Sequence, residues 1–379
     1  IILFEIRRWF TLKLTIKKNP KINYLQCLRC YNNYDFADFF EGCPRCLAEN
    51  MPSSLKIIYK QDDTTCALPY KSYFSMGEGN TPLIPILIDK EEFGEIFIKY
   101  EGQNPTGSHK DRMSSLIVTR AIETGSEGVV VASSGNAGIS LAAYAAFGGI
   151  KCVVIASKNL NNRIQSLLKG YGANLILTDT PEERWIKLKE YSDKGFYPAS
   201  NYLTPPVGSN FIGIQGYKTI AYEILQQLQG KVPTKIIVPV SRGDLLWGIW
   251  QGFKEITLNK NTLKLPKMIA VEPFPRLTNV LNGVHYTEEF IGETGLKSLD
   301  GTTVTFQALS ALQESNGLAA VVTEEQAKKD QQFLLTKGLF LENSSATVIH
   351  TINQLKNQNL LKKEDIVIAM GTSSGFLEV

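Results

Sequence analysis

The stretch IFIKYEGQNPTGSHKDRMSSLIVTRAIETGSEGVVVASSGNAGISLAAYAAF, residues 96–147, decides the fold. Twice in succession it passes from a short β-branched run, through a turn rich in small residues, into an apolar helical segment. The runs are Ile96–Tyr100 and Gly128–Ala132, and helices are predicted near Asp111–Thr124 and Ile139–Phe147. Strands that alternate with helices in this way predict an α/β fold with mostly parallel strands.

The same alternation continues toward the C-terminus. Pro181 suits the first turn of a helix, because its missing N–H is not needed there. The further predicted elements are a strand at Lys151–Ala156, a helix from about Asn161, a strand at Asn174–Leu177, a helix from Pro181, and strands at Lys235–Val240, Met268–Val271 and Asp365–Ala369.

Composition excludes several classes of protein. With 379 residues, 43% of them hydrophobic and 20% charged, the chain is long enough for two or three domains. Forty basic and thirty-seven acidic side chains give a formal charge of +3, too balanced for a long nucleic-acid footprint. We therefore expect neither a nucleic-acid partner nor a membrane span, since charged residues interrupt the apolar runs.

The first residues carry no targeting signal that we recognise. The tail Ile1–Leu14 is broken by charged residues and shows no cleavage site of small residues. We expect a native or trimmed end rather than a signal peptide, and a cytoplasmic protein.

Four of the six cysteines are clustered. The spacing Cys27-x2-Cys30-x12-Cys43-x2-Cys46 is that of the two knuckles of a zinc ribbon, which place four thiolates in tetrahedral reach. The alternatives are reduced, unliganded cysteines, or disulfides in an oxidising compartment. Cys66 and Cys152 are expected to be ordinary buried thiols.

The segment 51–71 has no clear period and is interpreted as a linker.

Three turns carry candidate chemistry. The first, Glu101-Gly-Gln-Asn-Pro-Thr-Gly-Ser-His-Lys110, delivers a lysine to the start of a helix, whose positive end favours the neutral, nucleophilic amine. The alternative is a surface lysine on an ordinary loop. The second, Ser133-Ser-Gly-Asn-Ala-Gly138, joins a strand to a helix and suits a carboxylate or phosphate. The alternative there is a tight turn without a ligand.

The third turn follows the strand Lys235–Val240. In Ser241-Arg-Gly-Asp-Leu245, Arg242 adds a planar positive charge to a helix start, an arrangement suited to phosphate. An arginine exposed on a loop is the alternative.

These motifs together resemble the threonine synthase family of fold-type-II pyridoxal-phosphate enzymes, from about Gly77 to the C-terminus. Gly77-Glu-Gly-Asn-Thr-Pro-Leu83 is similar to the early motif of that family, and the lysine turn and the Ser-Gly-Asn turn follow in the family order. Weaker matches are Gly216-Tyr-Lys-Thr219 with Glu223, and Glu342-Asn-Ser-Ser-Ala346.

The resemblance implies the following roles. Lys110 holds the cofactor as a Schiff base and moves protons, Asn136 contacts the phenolic oxygen of the cofactor, and a hydroxyl of the turn Gly371–Gly375, Thr372 in preference to Ser373, faces its ring nitrogen. The resemblance assigns the substrate carboxylate to Ser133, Ser134, Gly135, Asn136 and Ala137, and the cofactor phosphate to Ser241, Arg242, Gly243, Asp244 and Leu245. It also implies a homodimer.

The sequence departs from the family pattern at three points. His109 replaces an aromatic residue before the lysine and is either a phosphate ligand, as in the similar tryptophan synthase β family, or a packing histidine. Arg242 replaces a small residue. The arginine that grips the substrate phosphate in the family corresponds to Gly213, although Asn210 remains, so strong binding of O-phosphohomoserine is in doubt.

The resemblance implies a fold of two doubly wound domains with mostly parallel sheets, plus a small zinc-ribbon-like module. We predict the module at 1–50, a large cofactor-binding domain from 51–110 and 205–379, and a small inserted domain at 111–204.

The implied reaction is elimination or replacement at the β or γ carbon of a short amino acid. Candidate substrates are O-phosphohomoserine, O-phosphoserine, serine and threonine. Cysteate or diaminopropionate synthesis is an alternative, and a catalytically retired binding protein that works through its zinc ribbon is another. A nicotinamide dehydrogenase is disfavoured because Gly-x-Gly-x-x-Gly is missing from the first βα turn.

Overall fold

The computed structural model describes residues 15–60, 66–86, 94–258 and 264–378, so the arm 1–14 and its interpretation as a native or trimmed end lie outside them. The strands are β1 (Lys17–Lys18), β2 (Ile22–Cys27), β3 (Asn33–Tyr34), β4 (Leu55–Tyr59), β5 (Tyr70–Ser72), β6 (Leu83–Pro85), β7 (Glu95–Tyr100), β8 (Gly128–Ala132), β9 (Lys151–Ser157), β10 (Asn174–Thr178), β11 (Phe196–Pro198), β12 (Lys235–Pro239), β13 (Lys267–Glu272), β14 (Leu318–Val321) and β15 (Ile366–Gly371).

The helices alternate with these strands. They are α1 (Pro44–Ala48), α2 (Lys110–Glu123), α3 (Asn136–Gly148), α4 (Asn162–Gly170), α5 (Pro181–Asp193), α6 (Phe211–Ile214), α7 (Lys218–Gln227), α8 (Asp244–Leu258), α9 (Leu277–Leu281), α10 (Phe306–Glu314), α11 (Glu324–Thr336) and α12 (Asn343–Asn357). Short 3₁₀ turns occupy Glu101–Gln103, Gln215–Tyr217 and Gly375–Leu377.

The larger sheet has six strands in the order β14-β13-β12-β15-β7-β6. All neighbours are parallel except β6, which pairs antiparallel with β7 at the edge. Its central strands are apolar runs buried on both faces, as expected for a parallel sheet covered by helices. The carboxyl ends of β7, β12 and β15 therefore lie along one edge, and the turns that follow them meet there.

The smaller sheet has four parallel strands in the order β10-β9-β8-β11. Its strands come from residues 128–198, inside the predicted insert 111–204, and the six-stranded sheet draws its strands from 83–100 and 235–371. The predicted alternation and fold class are confirmed. The domain boundaries themselves stay a prediction.

The linker interpretation of residues 51–71 is wrong at Leu55–Tyr59 and from Tyr70, where strands lie. β4 pairs antiparallel with β2, so residues 55–59 complete the three-stranded sheet β3-β2-β4 of the Cys module, which extends beyond residue 50. β5 pairs antiparallel with β1. The alternation Leu55, Ile57 buried and Lys56, Ile58 partly exposed is the period-2 signal of a half-buried strand.

Helix α2 is the structural axis of the site. Every residue from Asp111 to Ala121 is buried, and α2 packs on α3 and α6. Lys110 is its first residue. None of the helices that the structure describes has the length and apolarity needed to cross a bilayer.

Candidate active site

The lysine turn is fixed at both ends. Thr106 donates its backbone N–H and its hydroxyl to the two carboxylate oxygens of Asp111, at 2.7 and 2.5 Å. Ser374 donates its backbone N–H to the carbonyl of Gly107 at 2.9 Å, which ties the turn to residues 371–375. These bonds hold Lys110 at the first position of α2.

The amine of Lys110 is unpaired. Its Nζ lies 5.9 Å from the ring centroid of Tyr217 and makes no ion pair or hydrogen bond with any residue in the described ranges. Burial lowers the pKa of Lys110 below its usual value; Arg242 lowers it further, while Asp244 and Glu342 oppose the shift. The neutral, nucleophilic form is thereby favoured.

His109 is held by the turn after β15. Its Nδ1 lies 3.1 Å from the carbonyl oxygen of Thr372, which also accepts the backbone N–H of His109 at 2.9 Å. Burial, followed by the charge of Lys110, holds the pKa of His109 well below its usual value. A neutral ring that donates Nδ1–H to a carbonyl has only an acceptor left at Nε2, which favours the packing alternative over phosphate binding.

The Ser-Gly-Asn turn presents unused donors. The backbone N–H groups of Ser134, Asn136 and Ala137 have no acceptor within the part of the chain that the structure describes. They lie at the start of α3, whose dipole adds a partial positive charge. Asn136 donates its Nδ2 to the carboxylate of Glu342 at 2.6 Å. Free N–H donors at a helix start can bind an oxyanion, and Glu342, the partner of Asn136, is the residue before α12.

The turn Ser241–Leu245 is a second row of such donors. None of its five backbone N–H groups has an acceptor among the described residues. Gly243 has φ +87°, and a Cβ there would lie 2.3 Å from Cβ of Ala308. The carboxylate of Asp244 does not accept from these N–H groups, because it accepts hydrogen bonds from Ser209 and Gln307. An oxyanion fits this cradle.

Arg276 supports this turn and was not predicted from the sequence. Its guanidinium is fully buried and donates to the carbonyls of Val240 at 2.9 Å, Ser241 at 3.3 Å and Gly301. Arg276 binds the carbonyl oxygens at the start of the turn. The backbone N–H groups of Ser241–Leu245 therefore stay available for a ligand. Arg276 lies within Pro-Phe-Pro-Arg, a stretch without a recognisable motif.

The turn after β15 contains two adjoining hydroxyls. The Oγ1 of Thr372 lies 2.5 Å from the Oγ of Ser345, which also accepts the backbone N–H of Ser373 at 3.0 Å. Ser373 donates its own hydroxyl to the carbonyl of Gly107 at 3.3 Å. The structure therefore brings the weak match Glu342–Ala346 to this turn. Which hydroxyl faces a cofactor stays a prediction.

A buried charge cluster lies behind the lysine. Arg112 donates to Glu101 at 2.6 Å and to Glu223 at 2.5 Å, and Lys99 donates to Glu223 at 2.6 Å. The hydroxyl of Thr81 donates to Glu101 at 2.7 Å. The residues of this cluster belong to the sequence motifs described above or, in the case of Lys99, to strand β7 before the lysine turn. The cluster borders a cavity of about 270 Å³ on the face of α2 away from Lys110.

Gly213 has no room for a side chain. It lies in α6, and a Cβ there would come 2.7 Å from Cγ of Met113 on α2. Asn210 caps α6, its Oδ1 accepting the backbone N–H of Ile212 at 3.0 Å and of Gly213 at 3.3 Å. An arginine at position 213 would therefore require this contact to open.

The four clustered cysteines meet in space. Their Sγ atoms all lie within 4.8 Å of one another. Backbone N–H groups of Arg29 and Cys30 donate to the sulfur of Cys27, each at 3.4 Å. The hydroxyl of Tyr34 lies 3.1 Å from the sulfur of Cys43. Donors directed at sulfur are the surroundings of thiolates, so the predicted spacing has produced a four-sulfur site.

Comparisons with known proteins agree with this geometry. The chain is 32% identical to the threonine synthase of Methanocaldococcus jannaschii over 388 residues, covering 92% of each chain. It is 30% identical to the threonine synthase of Methanosarcina acetivorans, covering 92% of this chain and 91% of that one. The cysteine synthase of Entamoeba histolytica has the same fold, with a TM-score of 0.63 and 22% identity over 78% of this chain and 86% of that one.

The family assignment rests on most of the chain. A family model described as pyridoxal-phosphate dependent enzyme matches residues 74–372, which include the lysine turn and both rows of N–H donors. The chain therefore belongs to the pyridoxal-phosphate dependent enzymes, as a threonine synthase-like member of that family.

Proposed function

We propose that the protein catalyses elimination or replacement at the β or γ carbon of a short amino acid, with Lys110 as the proton-transferring residue. The observation that supports this most strongly is the unpaired amine of Lys110 at the start of α2, with its pKa lowered by burial. A buried cation without a partner is costly to a fold, and such groups concentrate at functional sites.

The residues of the site fit pyridoxal phosphate. An amine favoured in its neutral form suits the aldehyde, and the free N–H row of Ser241–Leu245 suits the phosphate. Asn136 is the proposed donor to the phenolic oxygen, and Thr372 the neutral hydroxyl beside the ring nitrogen. When bound, the cofactor supplies an electron sink for the carbanion at the substrate α carbon.

The protein's own groups perform the remaining tasks. The N–H groups of Ser134, Asn136 and Ala137 bind the substrate carboxylate and orient its Cα–H bond. Lys110 Nζ takes the α proton and returns it at a later step. Burial lowers the pKa of this amine, so its proton-accepting form is more populated than that of an exposed lysine.

The proposed substrates are O-phosphohomoserine, O-phosphoserine, serine and threonine. The likeness to threonine synthases favours a phosphorylated substrate. The packing of Gly213 against α2 leaves no arginine at that position to bind its phosphate, so a substrate phosphate requires another cation.

The test is turnover of these four amino acids by the protein with bound cofactor. We would measure phosphate release, 2-oxo acid formation and new amino acids by chromatography, in the wild type and in Lys110→Ala. One substrate should be consumed, and the variant should lower kcat/KM by about a thousandfold or more. Lys158→Ala, which changes an exposed lysine, is the matched control. Equal turnover by Lys110→Ala would contradict the proposed role.

We also propose that Cys27, Cys30, Cys43 and Cys46 bind a structural zinc ion. Tetrahedral Zn–S bonds of about 2.3 Å place sulfurs about 3.8 Å apart, and the Cys27–Cys46 and Cys30–Cys43 sulfurs are both 3.6 Å apart. Four thiolates leave no coordination position for a reactant, so the ion would stabilise the module without taking part in the reaction.

The module is joined to the catalytic helix. Asp38, between the two Cys pairs, accepts from Arg120 of α2 at 2.9 Å and from the hydroxyl of Tyr197 at 2.7 Å. Leu116 of α2 packs into the apolar cluster of the module. A folded module therefore helps to hold the helix that begins at Lys110.

We propose a homodimer, as the family resemblance implies. Light scattering on the purified protein tests it: a mass of about one chain would contradict it, and a mass of about two chains would support it.

A further inference from the structure

The guanidinium of Arg242 makes no hydrogen bond or ion pair within the described part of the chain. Arg112, Arg120 and Arg276 each donate to carboxylates or carbonyls in the fold. The side chain of Arg242 makes no hydrogen bond or ion pair with any residue the structure describes, and its Nε is enclosed without an acceptor. A partly buried guanidinium whose donors are unused can bind an anion that a ligand supplies.

The position of Arg242 is fixed by its neighbours. Its Cζ lies 5.2 Å from the ring centroid of Trp185 on α5, a helix of the four-stranded sheet, while its backbone belongs to the turn after β12. A Cβ on Gly301 would lie 3.7 Å from Cζ, so Gly301 leaves room beside the planar group. Stacking on Trp185 holds the guanidinium by its face and leaves the donors at its edge free.

The nearby carboxylates of Asp244 and Asp300 form no ion pair with the guanidinium of Arg242. Asp244 is occupied by Ser209 and Gln307. Burial lowers the pKa of Arg242; Asp244 and Asp300 oppose this, and Arg184 adds to it. Arg242 also influences the amine of Lys110, which places the two groups in one electrostatic environment.

We propose that Arg242 binds the oxyanion at the end of the substrate side chain, and so selects amino acids that carry a phosphate or a similar anion. This deepens the proposed function and rests on it. Two phosphates have the chemistry to pair with this guanidinium, that of the cofactor and that of the substrate. We assign it to the substrate because the turn Ser241–Leu245 already supplies a row of free N–H groups for the cofactor.

The experiment compares Arg242→Gln with the wild type at saturating cofactor. Dissociation constants for O-phosphoserine and serine are measured from the change in the visible absorption of the bound cofactor, and KM and kcat follow for any amino acid that turns over. Cofactor retention is measured by absorption after gel filtration. Lys187→Gln removes one positive charge from the same helix as Trp185 and serves as the matched control.

We expect affinity for O-phosphoserine to fall about 10- to 100-fold in Arg242→Gln, because a charge-assisted pair is lost. Affinity for serine and cofactor retention should change less than about threefold. Arg242→Lys should recover part of the loss, since it keeps the charge without the planar fork. Equal losses for both amino acids, or a large loss of cofactor with an unchanged preference, would overturn the proposal.

A binding measurement separates this proposal from the proposed function. Inorganic phosphate is titrated calorimetrically into wild type and Arg242→Gln, both saturated with cofactor. If no amino acid reacts but phosphate binds to the wild type and not to the variant, the proposed reaction fails and the anion site stands. If phosphate binds equally to both, Arg242 is not the anion ligand.

Discussion

Lys110 and Arg112, two residues apart on α2, belong to two groups of charged side chains that differ in pairing and in burial. Arg112 donates to Glu101 and Glu223, and Lys99 joins Glu223. Lys110 makes no ion pair with any residue in the described part of the chain, and neither does Arg242, which influences it. The charges of the first group are paired within the protein, whereas the second group has no ion pair among the described residues and is less deeply buried. We infer that the first group is structural and that the second binds a ligand.

Removing one charge from each group should give opposite effects on stability. Arg112→Met leaves Glu101 buried without its cation, and we expect the free energy of unfolding to fall by about 3–5 kcal/mol. Lys110→Met removes an amine that makes no ion pair or hydrogen bond with the described residues, so stability should be unchanged or raised. Denaturant unfolding of the cofactor-free proteins measures both. A large loss in Lys110→Met would mean that the amine has a structural partner.

The four-cysteine site differs from both charge groups, because it needs a bound metal ion to stabilise the fold. Cys43→Ser should reduce bound zinc from about one ion per chain to almost none and lower the melting temperature by several degrees. Zinc is measured by elemental analysis and melting by circular dichroism. Cys152→Ser is the control, a buried thiol outside the cluster. Unchanged melting in Cys43→Ser would contradict the structural role.

Asp330 is another buried carboxyl group, and it makes no ion pair among the described residues although it lies outside every turn of the site. Its carboxylate accepts only the backbone N–H of His350 among the described residues, and burial raises its pKa to about 7. The folded state therefore binds a proton that the unfolded state has released between about pH 4 and pH 7, so this group lowers stability as pH rises through that window.

Asp330→Asn should remove this dependence. At pH 8 the variant should be more stable than the wild type by about 4 kcal/mol, and below about pH 4 the difference should vanish. Thermal unfolding across pH tests this. A variant that is less stable at pH 8 would show that the charged carboxylate has a favourable partner.

The sequence predicted the two sheets well where the strands are long apolar runs. It missed β11, three residues long, and β14, whose residues are only partly buried. It also missed β4, because Leu55–Tyr59 follows a stretch without period and pairs with a strand 28 or more residues earlier. Short strands depend on partners that lie far away in the chain, which a local pattern does not contain.

The site was predicted by motif and not by pairing. The three turns, Lys110 and the cysteines were identified because small residues and chemically reactive ones occur there together. The partners of the charged residues were not predicted. Glu223 lies 111 residues from Arg112. Trp185 lies on α5, beside the four-stranded sheet, whereas Arg242 follows β12 of the six-stranded sheet. Whether a charge is paired is a property of the packed structure.

We infer that Lys110 is the amine kept free for the cofactor. The most direct test is reduction of the protein with borohydride after incubation with pyridoxal phosphate, followed by digestion and mass spectrometry. The label should lie on Lys110 and not on Lys99 or Lys218, which are more deeply buried but paired with Glu223 and Glu255 at 2.6 Å. A label on Lys99 or Lys218, or an unlabelled Lys110, would contradict this role of Lys110.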